Sequence, residues 1–187
     1  MRISDTDILI VPGLGDSSPQ HWQSRWQSKL STARRVEQDD WNQPVREAWV
    51  ARLVESVHSS SRPAIIIAHS IGVITTVFAA EQIKGHVIGA MLVAPSDWDK
   101  PDLLPGYDLD FHPIPTLALP FPSLLVASQN DPYCEINRAA SFADAWGSEF
   151  VDAGDAGHIN VDSGHGPWPE GLLRLASFLA KLKAELQ

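Results

Sequence analysis

The feature that most constrains the fold is a series of short apolar runs separated by stretches with helical periodicity. Six runs have the length of strands: Ile8 to Val11, Arg35 to Gln38, Ala64 to Ala68, Val87 to Ala94, Ser123 to Ser128 and Glu149 to Asp152. Runs such as Ile65 to Ala68 lack polar alternation, as expected of strands covered on both faces. The pattern predicts an α/β fold with a doubly wound, mostly parallel six-stranded sheet and helices on both faces.

Two helical stretches show an apolar face. In the first, Pro44 suits the first helical turn, and Val50, Leu53, Val54 and Val57 follow at helical spacing. The last follows Pro169 and Gly171 and carries Leu172, Leu175, Ala176, Leu179, Leu182 and Leu186. Both faces are predicted to pack on the sheet.

The bulk properties predict one domain, residues 1–187, and exclude several partner classes. The net charge is −9 and the basic residues are scattered, which disfavours nucleic acid and anionic membranes as partners. No apolar run approaches the ~20 residues of a membrane helix. The run Ile8 to Val11 is too short for the core of a signal peptide, and the lone Cys134 cannot form an internal disulfide, so we expect a cytoplasmic protein.

One segment interrupts the alternation of strands and helices. Between Pro95 and Pro122 the chain contains seven prolines and no helical stripe, so it is predicted to be a long irregular connection without a helical lid. Its apolar residues offer a surface for an acyl or aryl group or merely pack the loop onto the body: Trp98, Leu103, Leu104, Tyr107 and Phe111.

The sharpest local signal is the run from Ile65 through His69, Ser70 and Gly72, in which an apolar strand enters a small-x-Ser-x-Gly turn followed by an apolar helix. This context is typical of the nucleophile elbow of α/β-hydrolases, although Ala68 replaces the first glycine of the usual motif. The alternative is that Ser70 only caps the helix. The setting favours the elbow.

The turn Val11-Pro12-Gly13-Leu14-Gly15 follows the first strand, where a hydrolase places the loop that contributes to its oxyanion hole. The backbone N–H groups of Leu14 and Ile71 are the favoured oxyanion donors, with Gly15 as the alternative to Leu14. The same turn begins a dinucleotide fingerprint, but Ser18 occupies the third glycine position and no phosphate-loop lysine follows. Nucleotide binding is therefore disfavoured, and no cofactor is implied.

Two further residues follow strands at the same predicted edge of the sheet. Asp131 comes after the fifth strand and His158 after the sixth, in the order serine, acid, histidine of this fold. Alone, Asp131 is equally well explained as a turn former before proline, and His158 as a polar loop residue. Their placement with Ser70 predicts a catalytic triad.

Read together, these elements resemble the small serine hydrolases typified by the retinoblastoma-binding serine hydrolase and its bacterial relatives. The matching pieces are Val11-Pro-Gly, Asp40-Trp41-x-x-Pro44, Ala68-His-Ser-Ile-Gly72, Asn130-Asp131-Pro132 and Gly157-His158-Ile159-Asn160. The resemblance extends over nearly the whole chain. It implies an abbreviated hydrolase sheet without the first antiparallel strands, with Ser70 as nucleophile, Asp131 as acid and His158 as base. The LxCxE motif of retinoblastoma binding is absent, so that partner is not predicted.

Other residues compete for the same roles. His165 is the alternative base, and Asp97, after the fourth strand, is the reserve acid. His69 is expected to shape the turn, and Cys134 to be an inert small side chain.

Neither the histidines nor the single cysteine has metal-ligand spacing, so no metal site is predicted. Trp22 and Trp26 share a helical face and are expected in the core, whereas Trp41 and Trp98 are candidates for lining a pocket.

The function predicted from these residues is cleavage of ester-like or amide-like bonds of small soluble substrates through an acyl-enzyme. The hypothesis from another class is a binding or regulatory module that keeps the fold without useful turnover.

Overall fold

The computed structural model describes residues 5–107 and 109–185, so Leu186 of the predicted last helix lies outside the described residues. The strands are β1 (Asp7–Val11), β2 (Ala33–Arg35), β3 (Ala64–His69), β4 (Val87–Val93), β5 (Ser123–Ala127) and β6 (Glu149–Asp152). The helices are α1 (Trp22–Gln27), α2 (Arg46–His58), α3 (Ile71–Ala79), α4 (Ile136–Trp146) and α5 (Pro169–Glu185).

The strands form one parallel sheet in the order β2-β1-β3-β4-β5-β6. The predicted α/β class and six-stranded sheet are thereby confirmed. The second strand begins two residues earlier in the chain than the predicted run from Arg35 to Gln38. Ala33 to Arg35 pair with Ile8 to Ile10, and only one further bond, from the Val36 N–H to the Ile10 carbonyl, follows before the chain leaves the sheet.

The sheet is covered on both faces, as the continuous apolar strands require. Leu9 and Ile66 pack on one face with residues of α2, α3 and α4, while Ile8, Ile65 and their neighbours pack on the other with residues of α1 and α5. The predicted core tryptophans of α1 lie on this second face: Trp22 and Trp26 are both buried. Strand residues therefore alternate between two apolar cores.

Two details of the predicted helices are wrong. Pro44 precedes α2, whose N-cap is Val45, because an extended segment continues up to that residue. In α5, Leu172 and Ala176 are exposed, while Phe178 is buried beside Leu179 and contacts the position where a Gly89 side chain would stand. Leu175, Leu179 and Leu182 of the predicted face are buried, so the prediction is wrong only for Leu172 and Ala176 and for the omission of Phe178. No helix among residues 5–107 and 109–185 is long and apolar enough to cross a membrane.

The order of the sheet places the loops after β1 and β3 beside each other at a topological switch point. The chain moves outward from β1 to β2 and then returns to β3, so a crevice opens at the carboxyl ends of β1 and β3. The segment from 95 to 122 contains no helix or strand among its described residues. Part of it packs on the body through the buried Phe111, Ile114 and Phe121.

Candidate active site

Ser70 stands in a strained turn between β3 and α3. Its φ and ψ are 59° and −129°, a conformation rarely adopted by a residue with a side chain. Two glycines allow the chain to close around it: a Cβ on Gly72 would lie 2.5 Å from the backbone oxygens of Val11 and Pro12, and one on Gly13 would lie 2.8 Å from the Ser70 Cβ. Ser70 makes no side-chain cap bond to α3, so the capping explanation is wrong for its hydroxyl.

Ser70, His158 and Asp131 form a continuous hydrogen-bonded chain. The His158 Nε2 lies 2.9 Å from the Ser70 Oγ, and the His158 Nδ1 lies 3.0 and 2.9 Å from the two carboxylate oxygens of Asp131. Because a carboxylate only accepts hydrogen bonds, Nδ1 carries the proton, and the bare Nε2 of the neutral ring accepts from the Ser70 hydroxyl. The arrangement matches the geometry that a serine nucleophile and its base require.

The Asp131 carboxylate is held by its own turn. The Tyr133 N–H donates to Oδ1 at 2.9 Å, and the side chains of Asp131 and His158 are only 2% and 8% exposed. The Tyr133 ring lies edge-on to the His158 imidazole, with 4.6 Å between ring centroids. Asp131 therefore both forms a turn, by accepting from the Tyr133 N–H, and contacts the His158 imidazole.

The loop that presents His158 is fixed from several sides. The Ser128 Oγ accepts from the Ala156 N–H at 2.9 Å, and the Asn130 Oδ1 accepts from the Gly157 N–H at 2.6 Å. Ile159 has a positive φ of 48°, which is unfavourable for a β-branched residue. The indole of Trp22 donates to the Ile159 carbonyl at 2.8 Å and so secures this turn.

The backbone beside Ser70 narrows the choice of oxyanion donors. The Gly15 N–H donates to the Trp41 carbonyl at 2.8 Å, which removes Gly15 as a donor to substrate. Leu14 lines the cavity at Ser70, and Ile71 begins α3, where the first N–H groups of a helix have no intrahelical acceptor.

The competing residues lie elsewhere or have other partners. The His165 Nδ1 lies 3.2 Å from the Ser163 Oγ, and Asp97 pairs with Arg138 at 3.3 Å. Cys134 is buried, and burial, with the nearby Asp97 and Asp131, raises the pKa of its thiol to about 12. A thiol of that pKa stays protonated at neutral pH and is a poor nucleophile.

Two further histidines, His69 and His21, adjoin His158. The ring centroid of His69 lies 4.8 Å from that of His158 and 5.0 Å from that of His21. Burial and the neighbouring His158 lower the pKa of both rings, that of His21 to about 4 and that of His69 well below its ordinary value, so both are neutral at pH 7. The Nε2–H of His69 donates to the His158 carbonyl at 2.9 Å.

His69 was expected only to shape the elbow, and the part played by His21 was missed. Its one available signal was its place directly before Trp22 and after a Pro19-Gln20 turn. The contact between His21 and the site depends on how α1 docks on β3, which the local sequence does not encode.

A cavity of about 940 Å³ opens over Ser70. Trp98, Leu103 and Leu104 line it, whereas the predicted pocket residue Trp41 is not among its lining residues and packs edge-on against Trp49 at 5.6 Å. Tyr107 lines a separate cavity of about 210 Å³. Many polar residues of the segment from 15 to 35 also line the larger cavity over Ser70.

The described residues contain no group of three or more histidine, cysteine, aspartate or glutamate side chains arranged to hold a metal ion.

Comparison with known proteins shows the family to which the chain belongs. The family model described as serine hydrolase matches residues 8–177. A solved structure described as a YdeN-like hydrolase from Pectobacterium atrosepticum is 38% identical, with a TM-score of 0.85, and the match covers 96% of this chain and 94% of that one. No curated protein matches the chain.

More distant structures share the fold. The ydeN gene product of B. subtilis is 19% identical, with a TM-score of 0.75 and coverage of 94% of this chain and 99% of that one. ClbQ from the colibactin NRPS/PKS pathway is 16% identical, with a TM-score of 0.68 and coverage of 96% and 99%.

Proposed function

Because the chain belongs to the serine hydrolase family, we propose that it hydrolyses ester-like or amide-like bonds of small soluble substrates through an acyl-enzyme on Ser70. The observation that carries the proposal is the chain of hydrogen bonds from Asp131 through His158 to Ser70. A serine hydroxyl is a weak nucleophile until a base accepts its proton, and the 2.9 Å contact with Ser70 supports His158 as that base.

The proposed reaction has two halves. The Ser70 Oγ attacks the substrate carbonyl while the His158 Nε2 takes its proton, and the imidazolium then delivers the proton to the leaving group. Water repeats the sequence on the acyl-enzyme and releases the acid and Ser70. Asp131 keeps the imidazole in the tautomer that the first step requires, and stabilises the imidazolium that forms.

The N–H groups of Leu14 and Ile71 are proposed to stabilise the tetrahedral oxyanion. Both stand beside Ser70, and the engagement of Gly15 with Trp41 leaves Leu14 as the donor from the first loop. One such donor contributes about 100- to 1,000-fold in turnover in well-studied hydrolases.

Substrates with short acyl groups fit the site better than aggregated lipid. A lid that opens at a lipid surface is usually an amphipathic helix, and the described residues between 95 and 122 form none. Trp98, Leu103 and Leu104 offer a modest apolar wall for the acyl or aryl group.

A fluorophosphonate probe tests the proposal directly. Such probes phosphonylate only a serine that a neighbouring base has activated, so we expect one probe per chain, attached to Ser70 as located by peptide mass mapping. Ser70→Ala should abolish the labelling, while Ser163→Ala, which removes another loop serine, should leave it intact. A well-folded wild type that takes up no probe and cleaves no ester would instead support a binding module on a hydrolase fold.

A further inference from the structure

The cavity over Ser70 is lined by two chemically different groups of residues. The first group is apolar and includes Leu14, Trp98, Leu103 and Leu104. The second group, here called the polar lining, includes Asp16, His21, Arg25, Gln27, Asn160 and Asp162. A substrate that fills both parts must itself have an apolar and a polar portion.

Three side chains of the polar lining have acceptors that are already engaged within the protein. Both carboxylate oxygens of Asp16 accept from Arg35 at 2.6 Å, and the Gln27 Oε1 accepts from Arg35 at 3.1 Å. The Asn160 Oδ1 accepts from the Ser163 N–H at 3.0 Å. A substrate amine would find these acceptors satisfied.

Three donors of the polar lining remain available. The His21 Nδ1 accepts from the Gln23 N–H at 3.2 Å, so the proton of the neutral ring is on Nε2, and no acceptor for it occurs in the described part of the chain. Within the same residues the Asn160 Nδ2 has no partner. The Arg25 guanidinium uses only its Nε, which donates to the Gln20 carbonyl at 2.8 Å.

His21 is the strongest of these indications, because its side chain is largely removed from bulk water. The residue is 6% exposed and lines the cavity. Among the described residues, the buried side-chain atoms without a partner do not include the His21 Nε2, so this donor faces the cavity, where a ligand can accept from it. The exposed Asp162 is the opposing feature, because it adds a negative charge to the lining.

Resting on the proposed function, we infer that the substrate carries a carboxylate, recognised by the unpartnered donors of His21, Arg25 and Asn160 while its apolar portion contacts Trp98 and Leu104. A carboxylate matches these groups because it accepts several hydrogen bonds and its charge is complementary to Arg25. The cavity of about 940 Å³ has room for both portions.

Two matched pairs of phenyl esters test the inference. In the first pair the carboxylate is in the leaving group: 4-acetoxybenzoate is compared with its methyl ester. In the second it is in the acyl half: monophenyl glutarate is compared with methyl phenyl glutarate. The measured quantity is kcat/KM of the acid relative to that of its neutral partner.

We expect the acid to be favoured about 10-fold or more in at least one pair, because hydrogen bonds to a charged group are the stronger class. The ratio should fall towards one in His21→Asn and in Arg25→Gln. Asn at position 21 keeps an acceptor for the Gln23 N–H and so preserves the helix cap, which thermal unfolding verifies. Lys29→Gln is the matched control, since it removes a nearby exposed charge that does not line the cavity.

Ratios of one or less in both pairs, or a preference that survives both lining variants, would overturn the inference. Turnover of the neutral esters by Ser70 would meanwhile leave the proposed function intact. To separate the two further, calorimetric titration of Ser70→Ala with the same four esters measures affinity without cleavage. Preferential binding of the acids supports the inference even if wild type cleaves none of them, and equal or absent binding contradicts it.

Discussion

The imidazole of His69 donates a hydrogen bond to the backbone carbonyl of His158 at 2.9 Å. His69 immediately precedes Ser70, so this bond links the turn that contains Ser70 directly to the loop that contains His158. Both residues are buried, so removal of the His69 imidazole would leave the His158 carbonyl without this hydrogen bond. We regard His69 as a positioning residue that acts through His158.

His69→Phe is therefore expected to lower kcat about 10- to 100-fold with little change in KM, because an unpartnered buried carbonyl costs about 1–3 kcal/mol and the base shifts to relieve it. His69→Gln, whose amide reaches about as far as Nε2, should recover most of the rate. Steady-state kinetics with a phenyl ester separates kcat from KM. Equal losses in both variants would reduce His69 to a packing residue.

Ser70→Ala and His158→Ala should each lower ester hydrolysis by about three orders of magnitude or more, and the double variant should be little worse than either. Non-additivity is expected because the two residues act as one unit through their 2.9 Å contact. His165→Ala is the control and should retain wild-type kinetics. The assignment of the base is wrong if the effects of His158→Ala and His165→Ala are reversed.

Acid should weaken the fold through His21. Its pKa falls from 6.5 to about 4 in the folded protein, so the unfolded chain binds more protons between these values, and stability rises with pH across that window. On acidification from about pH 7 to about pH 4, His21 should cost on the order of 3 kcal/mol of unfolding free energy. Urea titrations should show a shallower loss for His21→Asn, and parallel curves would contradict this account.

Cys134 should resist alkylation in the folded protein. Its thiol is buried and its pKa is raised to about 12, so at about pH 8 almost none is present as the reactive thiolate. Iodoacetamide should neither label nor inhibit the native protein, whereas it should label the chain once in urea. Rapid inhibition that Cys134→Ser prevents would assign the thiol a role in the site.

Rates with p-nitrophenyl esters should be highest for short acyl chains and should show no jump when micelles of the longest ester form. The apolar wall of Trp98, Leu103 and Leu104 is modest, and the described part of the neighbouring segment contains no amphipathic helix to open at an interface. A rate maximum at long chains would require a larger acyl site than this cavity provides.

The positions of the strands and the family resemblance could be predicted because each rests on contiguous residues. The apolar runs located β1, β3, β4, β5 and β6 closely, and the small residues around Ser70 indicated the turn. Asp131 and His158 were predicted as partners of Ser70 because parallel strands bring their carboxyl ends to one edge. The resemblance to small serine hydrolases is confirmed by the family match.

Features that depend on docking could not be predicted in this way. The contact of His21 with His69 arises where α1 meets β3, and Trp41 turns towards Trp49 instead of the cavity. Phe111 is drawn into the core although it belongs to an irregular segment. Each of these side chains is placed by the packing of distant elements, which periodicity along the chain does not record.

Ser70 and His158 follow two strands that differ in how readily they open locally. Ser70 follows β3, an interior strand whose six residues are all buried, while His158 follows β6, an edge strand with no buried residue. Edge strands open locally more readily than interior ones, as amide hydrogen exchange generally shows. The anchors of the His158 loop, however, come from Trp22, His69 and Asn130, which lie outside β6. Transient fraying of β6 can therefore occur while His158 keeps its position beside Ser70.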